Sequence, residues 1–211
     1  MSRVDVETLA ARFNAHSARP IDLGCSGATV VRLERARETL YYKAGQGVDD
    51  EADRVAWLSA TGFGCPEVVD RGNNWMLTTE LQGRDASQPW PAEQRPAVLR
   101  AVAEGLRELH TLTTCPFTSP FPGEATVVTH GDYCLPNVFV DPETLRFTGV
   151  LDLSRLGLGD PYVDIAVMTQ SLSGTLNPQY GGPPAAREFA KTYGADPDDE
   201  RIPHFIALDN F

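Results

Sequence analysis

The hydrophobic period changes once along this chain of 211 residues, and the change divides it into two unlike parts. Upstream of residue 83 the pattern is mostly β-type. A glycine turn, Gly24-Cys25-Ser26-Gly27, leads into Ala28-Thr29-Val30-Val31-Arg32-Leu33 and, after a charged turn, Thr39-Leu40-Tyr41-Tyr42-Lys43, which reads as an antiparallel hairpin. Residues 66–81 read as two more strands broken at Gly72-Asn73-Asn74. Val6, Leu9, Ala10 and Phe13 fall at helical spacing, and residues 49–61 open with acids and stop at Gly62, as a capped helix does. Downstream, Val98, Val102, Leu106 and Leu109 mark one buried helix face within residues 92–112. Residues 162–173, 184–193 and 199–209 read as further helices. The polar, proline-punctuated stretch Gln82–Pro91 reads as a connector, and Pro116, Pro120 and Pro122 exclude a regular helix from a short surface crossing. The expectation is an α+β chain with a β-rich lobe over 1–82 and a helical lobe over 83–211.

Composition narrows the class of protein. At 42% hydrophobic the chain can bury a core, which argues against a disordered or fibrous protein. Its 18 basic against 29 acidic residues give a formal net charge of −11, a field suited to a cationic partner and ill suited to nucleic acid or anionic lipid. No apolar run approaches a membrane span, and the first residues alternate charged and apolar groups, so a soluble, cytoplasmic protein is expected. Cys25, Cys65, Cys115 and Cys134 are too scattered to announce a zinc site or a disulfide framework. Only Lys43 and Lys191 are lysines, so a site that needs one has few candidates.

One constellation carries chemistry. His130-Gly131-Asp132 is followed five positions later by Asn137, and then by Asp152 in the apolar frame Gly149-Val150-Leu151. Phosphoryl transfer to a hydroxyl needs these parts: a carboxylate to accept or orient the hydroxyl proton, and an amide and a second carboxylate to hold Mg²⁺. Singly, Asp and Asn are ordinary turn residues. Together, at the Asp-x4-Asn spacing of kinase catalytic loops and flanked by β-type runs, they predict a kinase-type site. Such a site needs an upstream lysine for nucleotide phosphates. Lys43 closes the second hairpin strand, and Glu51 or Asp53 in the next helix could pair with it. Its alternative reading is an edge-strand lysine that discourages aggregation. His110 ends an apolar helix face and reads as a satisfied, partly buried histidine.

These residues, with Leu40-Tyr41-Tyr42-Lys43, Asp50-Glu51-Ala52, Leu109-His110-Thr111-Leu112, the run from Val128 to Asn137, Asp152-Leu153-Ser154-Arg155-Leu156-Gly157 and Asp164-Ile165-Ala166, resemble the aminoglycoside 3′-phosphotransferase family over nearly the whole chain. The resemblance implies a protein-kinase-like two-lobed fold and ATP and Mg²⁺ as cofactors. It makes Asp132 the catalytic acid–base group, Asn137 and Asp152 the metal ligands, and Lys43 with Glu51 the phosphate-binding pair. It also implies Ser26 on the β-phosphate, Tyr41 stacked on the base, Leu81 offering its backbone to the base, and Arg155 near the γ-phosphate and substrate.

The acceptor side departs from the family pattern. Only Thr118–Thr126 lies where the family carries a helical insertion that forms one wall of the antibiotic pocket, and Ser171 and Asn210 replace usual acids. Asp160, Asp164, Asp209 and the Phe211 carboxylate remain as expected acidic contacts for a polycation. Three readings follow: an aminoglycoside 3′-kinase with a trimmed pocket, a kinase of another hydroxylated small molecule, or a catalytically silent nucleotide-binding relic.

Overall fold

The computed structural model describes residues 5–21 and 27–208, and the chain separates into two compact units, Met1–Leu81 and Gln82–Phe211. In the first, α1 (Val6–Arg12) is capped by Asp5, whose carboxylate accepts the Glu7 amide at 3.1 Å. Then come β1 (Ser17–Ile21), β2 (Thr29–Glu34), β3 (Thr39–Ala44), α2 (Val48–Ala60), β4 (Val68–Gly72) and β5 (Trp75–Thr79). The strands form an antiparallel sheet in the order β1-β2-β3-β5-β4. The alternation within β2 and β3 sorts the side chains. Val31, Leu33, Leu40 and Tyr42 join Leu77, Leu9 and Phe13 in one buried cluster, which seats α1 on that face. Tyr41 and Lys43 therefore fall on the opposite face. Asn74 turns the β4–β5 hairpin with φ +58°, and Gly62 takes φ +84° just beyond the end of α2.

The second unit begins with a difference from the sequence reading. Gln82–Pro91 is packed structure: Arg84–Asp85 forms β6 beside β8, Ala86 N donates to Val138 O, and Trp90 is buried with Nε1 donating to Asp85 O. Buried Ala86 and Trp90 outweigh the polar composition around them. Next come α3 (Arg95–Leu109), β7 (Val127–Thr129), a 3₁₀ turn at Leu135–Asn137, β8 (Val138–Val140), β9 (Phe147–Val150), β10 (Gly157–Gly159), α4 (Tyr162–Ser173), α5 (Pro183–Tyr193) and α6 (Arg201–Leu208). β6, β8 and β9 make one small sheet, and β7 pairs with β10 in another.

The predicted stripe of α3 is the buried one. Val98, Val102, Leu106 and Leu109 are each fully enclosed. Burying an aliphatic side chain of this size contributes about 1.5–3 kcal/mol, and truncating one such as Leu106 to alanine costs about 2–5 kcal/mol. Gly105 permits the approach of β9, because a Cβ there would stand 2.3 Å from the Phe147 ring. α3 thus becomes the platform for the loop after β7: Tyr133 is fully buried and its Oη donates to Val102 O at 2.8 Å. Among the described residues no helix is long and apolar enough to cross a membrane.

Candidate active site

In the first unit the lysine expected for phosphates has the expected partner. Lys43 Nζ lies 2.9 Å from Glu51 Oε1 and 2.8 Å from Oε2, with side chains only 16% and 4% exposed. β3 is central in its sheet, between β2 and β5, so the edge-strand reading of Lys43 does not hold. Asp53, the other candidate, faces Arg71 instead. α2 turns Glu51 inward with Ala52, Val55 and Leu58, a helical spacing that a buried acid tolerates because it has the lysine. Tyr41, two residues from Lys43, donates its hydroxyl to Glu80 Oε1 at 3.0 Å, and partial burial together with that carboxylate raises the phenol pKa. Leu81 follows Glu80 at the end of this unit, half-buried. Ser26, Asp209 and Phe211 lie outside the described residues.

In the second unit the loop after β7 is tied at almost every residue. His130 Nδ1 accepts the Asp132 amide at 3.1 Å, which assigns the ring proton to Nε2, and Nε2 donates to Leu151 O at 2.9 Å. The backbone carrying Asp132 is thereby fastened to the segment carrying Asp152. Asn137 completes the arrangement: its Nδ2 donates to Asp132 O at 3.0 Å and to Asp132 Oδ2 at 3.1 Å. That fixes the carboxylate and leaves the amide Oδ1 as the atom available to a cation. Leu151 N donates back to Asn137 O at 2.9 Å, and Asp152 follows with φ +60°, a left-handed conformation that aspartate tolerates better than most residues. Asn137 Oδ1 and the Asp152 carboxylate are hard oxygen donors of the kind Mg²⁺ takes alongside phosphate and water. Among the described residues no group of three or more His, Cys, Asp or Glu side chains is placed to hold a metal ion. Arg155 Nη1 approaches Gly131 O at 3.5 Å, and its guanidinium lies 5.7 Å from the centre of the Phe121 ring. Cys134 stays a thiol, because burial first and the Asp132 carboxylate second push its pKa up.

One of the acids expected to meet a substrate is committed elsewhere. Asp164 is fully buried: Oδ1 accepts the Gly131 amide at 2.8 Å, and Oδ2 accepts the His130 amide at 2.8 Å and His110 Nε2 at 3.0 Å. His110 Nδ1 then accepts the Tyr193 hydroxyl at 2.8 Å, which satisfies both ring nitrogens. Asp164 on α4 is therefore the anchor of the catalytic loop and not a substrate contact. Asp160, 7% exposed, is tied to the first turn of α4: its Oδ1 accepts the Tyr162 amide at 2.9 Å and its carbonyl accepts Val163 N. Ser171, where an acid was expected from the family pattern, caps the 3₁₀ turn by accepting Leu135 N at 3.2 Å. Glu80, Tyr133 and Tyr193 support the site without any sequence signal that marks them, since each acts through a tertiary hydrogen bond.

Comparison with known proteins agrees with this geometry. The sequence profile of the Phosphotransferase enzyme family matches residues 17–124 and 119–203. An aminoglycoside 3′-phosphotransferase of Streptomyces ribosidificus is 32% identical over 260 residues, covering 97% of this chain and 98% of the relative. The crystal structure of an aminoglycoside 3′-phosphotransferase of type VIII superimposes with a TM-score of 0.83 at 29% identity, over 96% of each chain. An aminoglycoside phosphotransferase from Streptomyces rimosus, in complex with ADP and streptomycin, gives 0.78 at 27% identity over 98% of each. The alignment to the Streptomyces ribosidificus relative runs over 260 positions, more than the 211 residues of this chain, and the two stretches matched by the profile overlap at residues 119–124, within the Thr118–Thr126 crossing. The chain belongs to the phosphotransferase enzyme family and, within it, to the aminoglycoside 3′-phosphotransferases.

Proposed function

We propose that this protein transfers the γ-phosphoryl group of ATP to the 3′-hydroxyl of an aminoglycoside antibiotic and so confers resistance to it. The observation that carries the reading is the Asn137 amide bound to the Asp132 carboxylate, on a loop anchored by Asp164. That carboxylate has one oxygen fixed by an amide, which aims it to accept a hydrogen bond from an incoming hydroxyl and hold that oxygen in line.

The first unit supplies the nucleotide set. Lys43, held by Glu51, neutralises the α- and β-phosphates, Ser26 offers a further contact to the β-phosphate, Tyr41 stacks on the base and Leu81 offers its backbone to the base edge. The second unit supplies the transfer set. Asn137 Oδ1 and the Asp152 carboxylate would hold Mg²⁺, which would supply positive charge to offset that of the phosphates. Asp132 orients the acceptor hydroxyl, and Arg155 meets charge on the transferred group. Asp209 remains the acid proposed to pair with an ammonium group, and the net charge of −11 draws a polycation toward the protein.

A second reading, a kinase of another hydroxylated small molecule, is favoured by the short Thr118–Thr126 crossing, since the family resemblance puts one wall of the antibiotic pocket there. Replacing Asp132 with alanine separates chemistry from binding. Transfer falls at least about 10²-fold while ATP binding is kept, and turnover within about tenfold of wild type sinks the assignment of Asp132.

A further inference from the structure

The Thr118–Thr126 crossing also holds a residue with a place in the reaction. It runs tightly along β10: Ser119 N donates to Leu158 O at 3.0 Å, Leu158 N to Phe117 O at 2.9 Å and Thr126 N to Gly159 O at 3.0 Å. Glycine makes this approach possible, since a Cβ at Gly157 would stand 2.4 Å from the Thr118 backbone and one at Gly159 2.7 Å from Ser119 Cβ. Ser119 Oγ then accepts the Phe121 amide at 3.3 Å, and the Phe121 side chain packs against the cluster of Val163, Ala166 and Phe205. The Arg155 guanidinium lies over the same ring, 5.7 Å from its centre.

The other end of that contact is the catalytic loop. Arg155 Nη1 reaches Gly131 O, the carbonyl immediately before Asp132, and a Cβ on Gly131 would come within 2.5 Å of Arg155 Cβ. Arginine carries large rotamer freedom, and a cation that must meet a phosphoryl group gains from having it restricted beforehand. An aliphatic residue would fill the apolar cluster equally well. Only an aromatic face also attracts the guanidinium.

We propose that Phe121 is a positioning residue for phosphoryl transfer: its ring holds the Arg155 guanidinium beside the loop that carries Asp132. The proposal rests on the phosphotransferase reading above. It assigns the trimmed crossing a task in catalysis, beyond closing the gap between α3 and β7.

The test compares Phe121→Leu and Phe121→Trp in the full chain, with Leu176→Ala at an exposed position as the control that leaves activity unchanged. Two readouts are taken: the Arg155 Nε–H NMR signal, assigned with Arg155→Lys, and steady-state kinetics on the acceptor that gives Asp132-dependent turnover. Phe121→Leu is expected to erase the ring-current displacement of the Arg155 signal and lower kcat about three- to tenfold, with KM for ATP and thermal stability unchanged. Phe121→Trp is expected to keep both signal and rate. An Arg155 signal indifferent to Phe121→Leu, or equal losses of kcat in the leucine and tryptophan variants, overturns the proposal while leaving phosphotransfer standing. A wild-type protein with no Asp132-dependent transfer overturns the phosphotransferase reading and the proposal with it.

Discussion

Replacing Asp164 with asparagine tests the anchor of the catalytic loop. The change keeps shape and removes one acceptor oxygen. Asp164 is fully buried and accepts three hydrogen bonds, from Gly131 N, His130 N and His110 Nε2, at 2.8–3.0 Å. An asparagine can present its oxygen to only one side; its NH₂ then meets a backbone N–H, donor against donor. A buried amide left unsatisfied costs about 1–3 kcal/mol, and each lost hydrogen bond to a charged acceptor a further ~1.5–3 kcal/mol. Relaxation of the loop and a tautomer change at His110 recover part of this, so about 3–5 kcal/mol is expected. That is a large share of the ~5–15 kcal/mol that holds a domain folded. Urea denaturation followed by tryptophan fluorescence reads the loss directly. A destabilisation under about 1 kcal/mol, accompanied by a raised KM for the acceptor, would refute the anchoring role and return Asp164 to the substrate.

Other perturbations separate the two units. Lys43→Met leaves Glu51 buried without its cation; it should raise KM for ATP by at least about tenfold, measured by steady-state kinetics, while removing the Lys43–Glu51 pair also lowers the melting temperature. Gly157→Ala places a Cβ 2.4–2.7 Å from the Thr118 and Ser119 backbone, so the crossing must lift from β10. A loss of about 1–3 kcal/mol in thermal unfolding is expected, with amide exchange quickened at Ser119 and Leu158.

What the sequence reveals and what it hides divide along physical lines. The strands carrying Val31, Leu33, Leu40 and Tyr42 and the helix carrying Val98 to Leu109 are periodic, and periodicity reports which face is buried before any tertiary contact is known. Lys43 and Glu51 are legible because strand and helix spacing brings them onto facing surfaces, and the structure joins them. The prolines of the crossing likewise announce the lack of a helix there. Asp164 is different: it stands in a short apolar run and its partners are backbone amides 33 and 34 residues away, which leave no mark in side-chain pattern. A charged residue amid Val163, Ile165 and Ala166 was the available hint that something buried must neutralise it. Gln82–Pro91 misleads for the opposite reason, because its composition is that of a connector while two residues, Ala86 and Trp90, decide its packing. Gly157 and Gly159 carry no mark in the sequence of their task in the structure, which is clearance for the crossing.

The central claim is that Asp132 directs transfer of a phosphoryl group from ATP to one hydroxyl of an aminoglycoside. The most direct measurement supplies γ-labelled ATP, Mg²⁺ and purified protein with kanamycin, and with an analogue lacking only the 3′-hydroxyl, and follows label on the antibiotic by mass spectrometry. The account predicts one phosphoryl group on kanamycin, none on the analogue, and none on either with Asp132→Ala. Label on the analogue at the same rate, or label on kanamycin that survives Asp132→Ala, would contradict it.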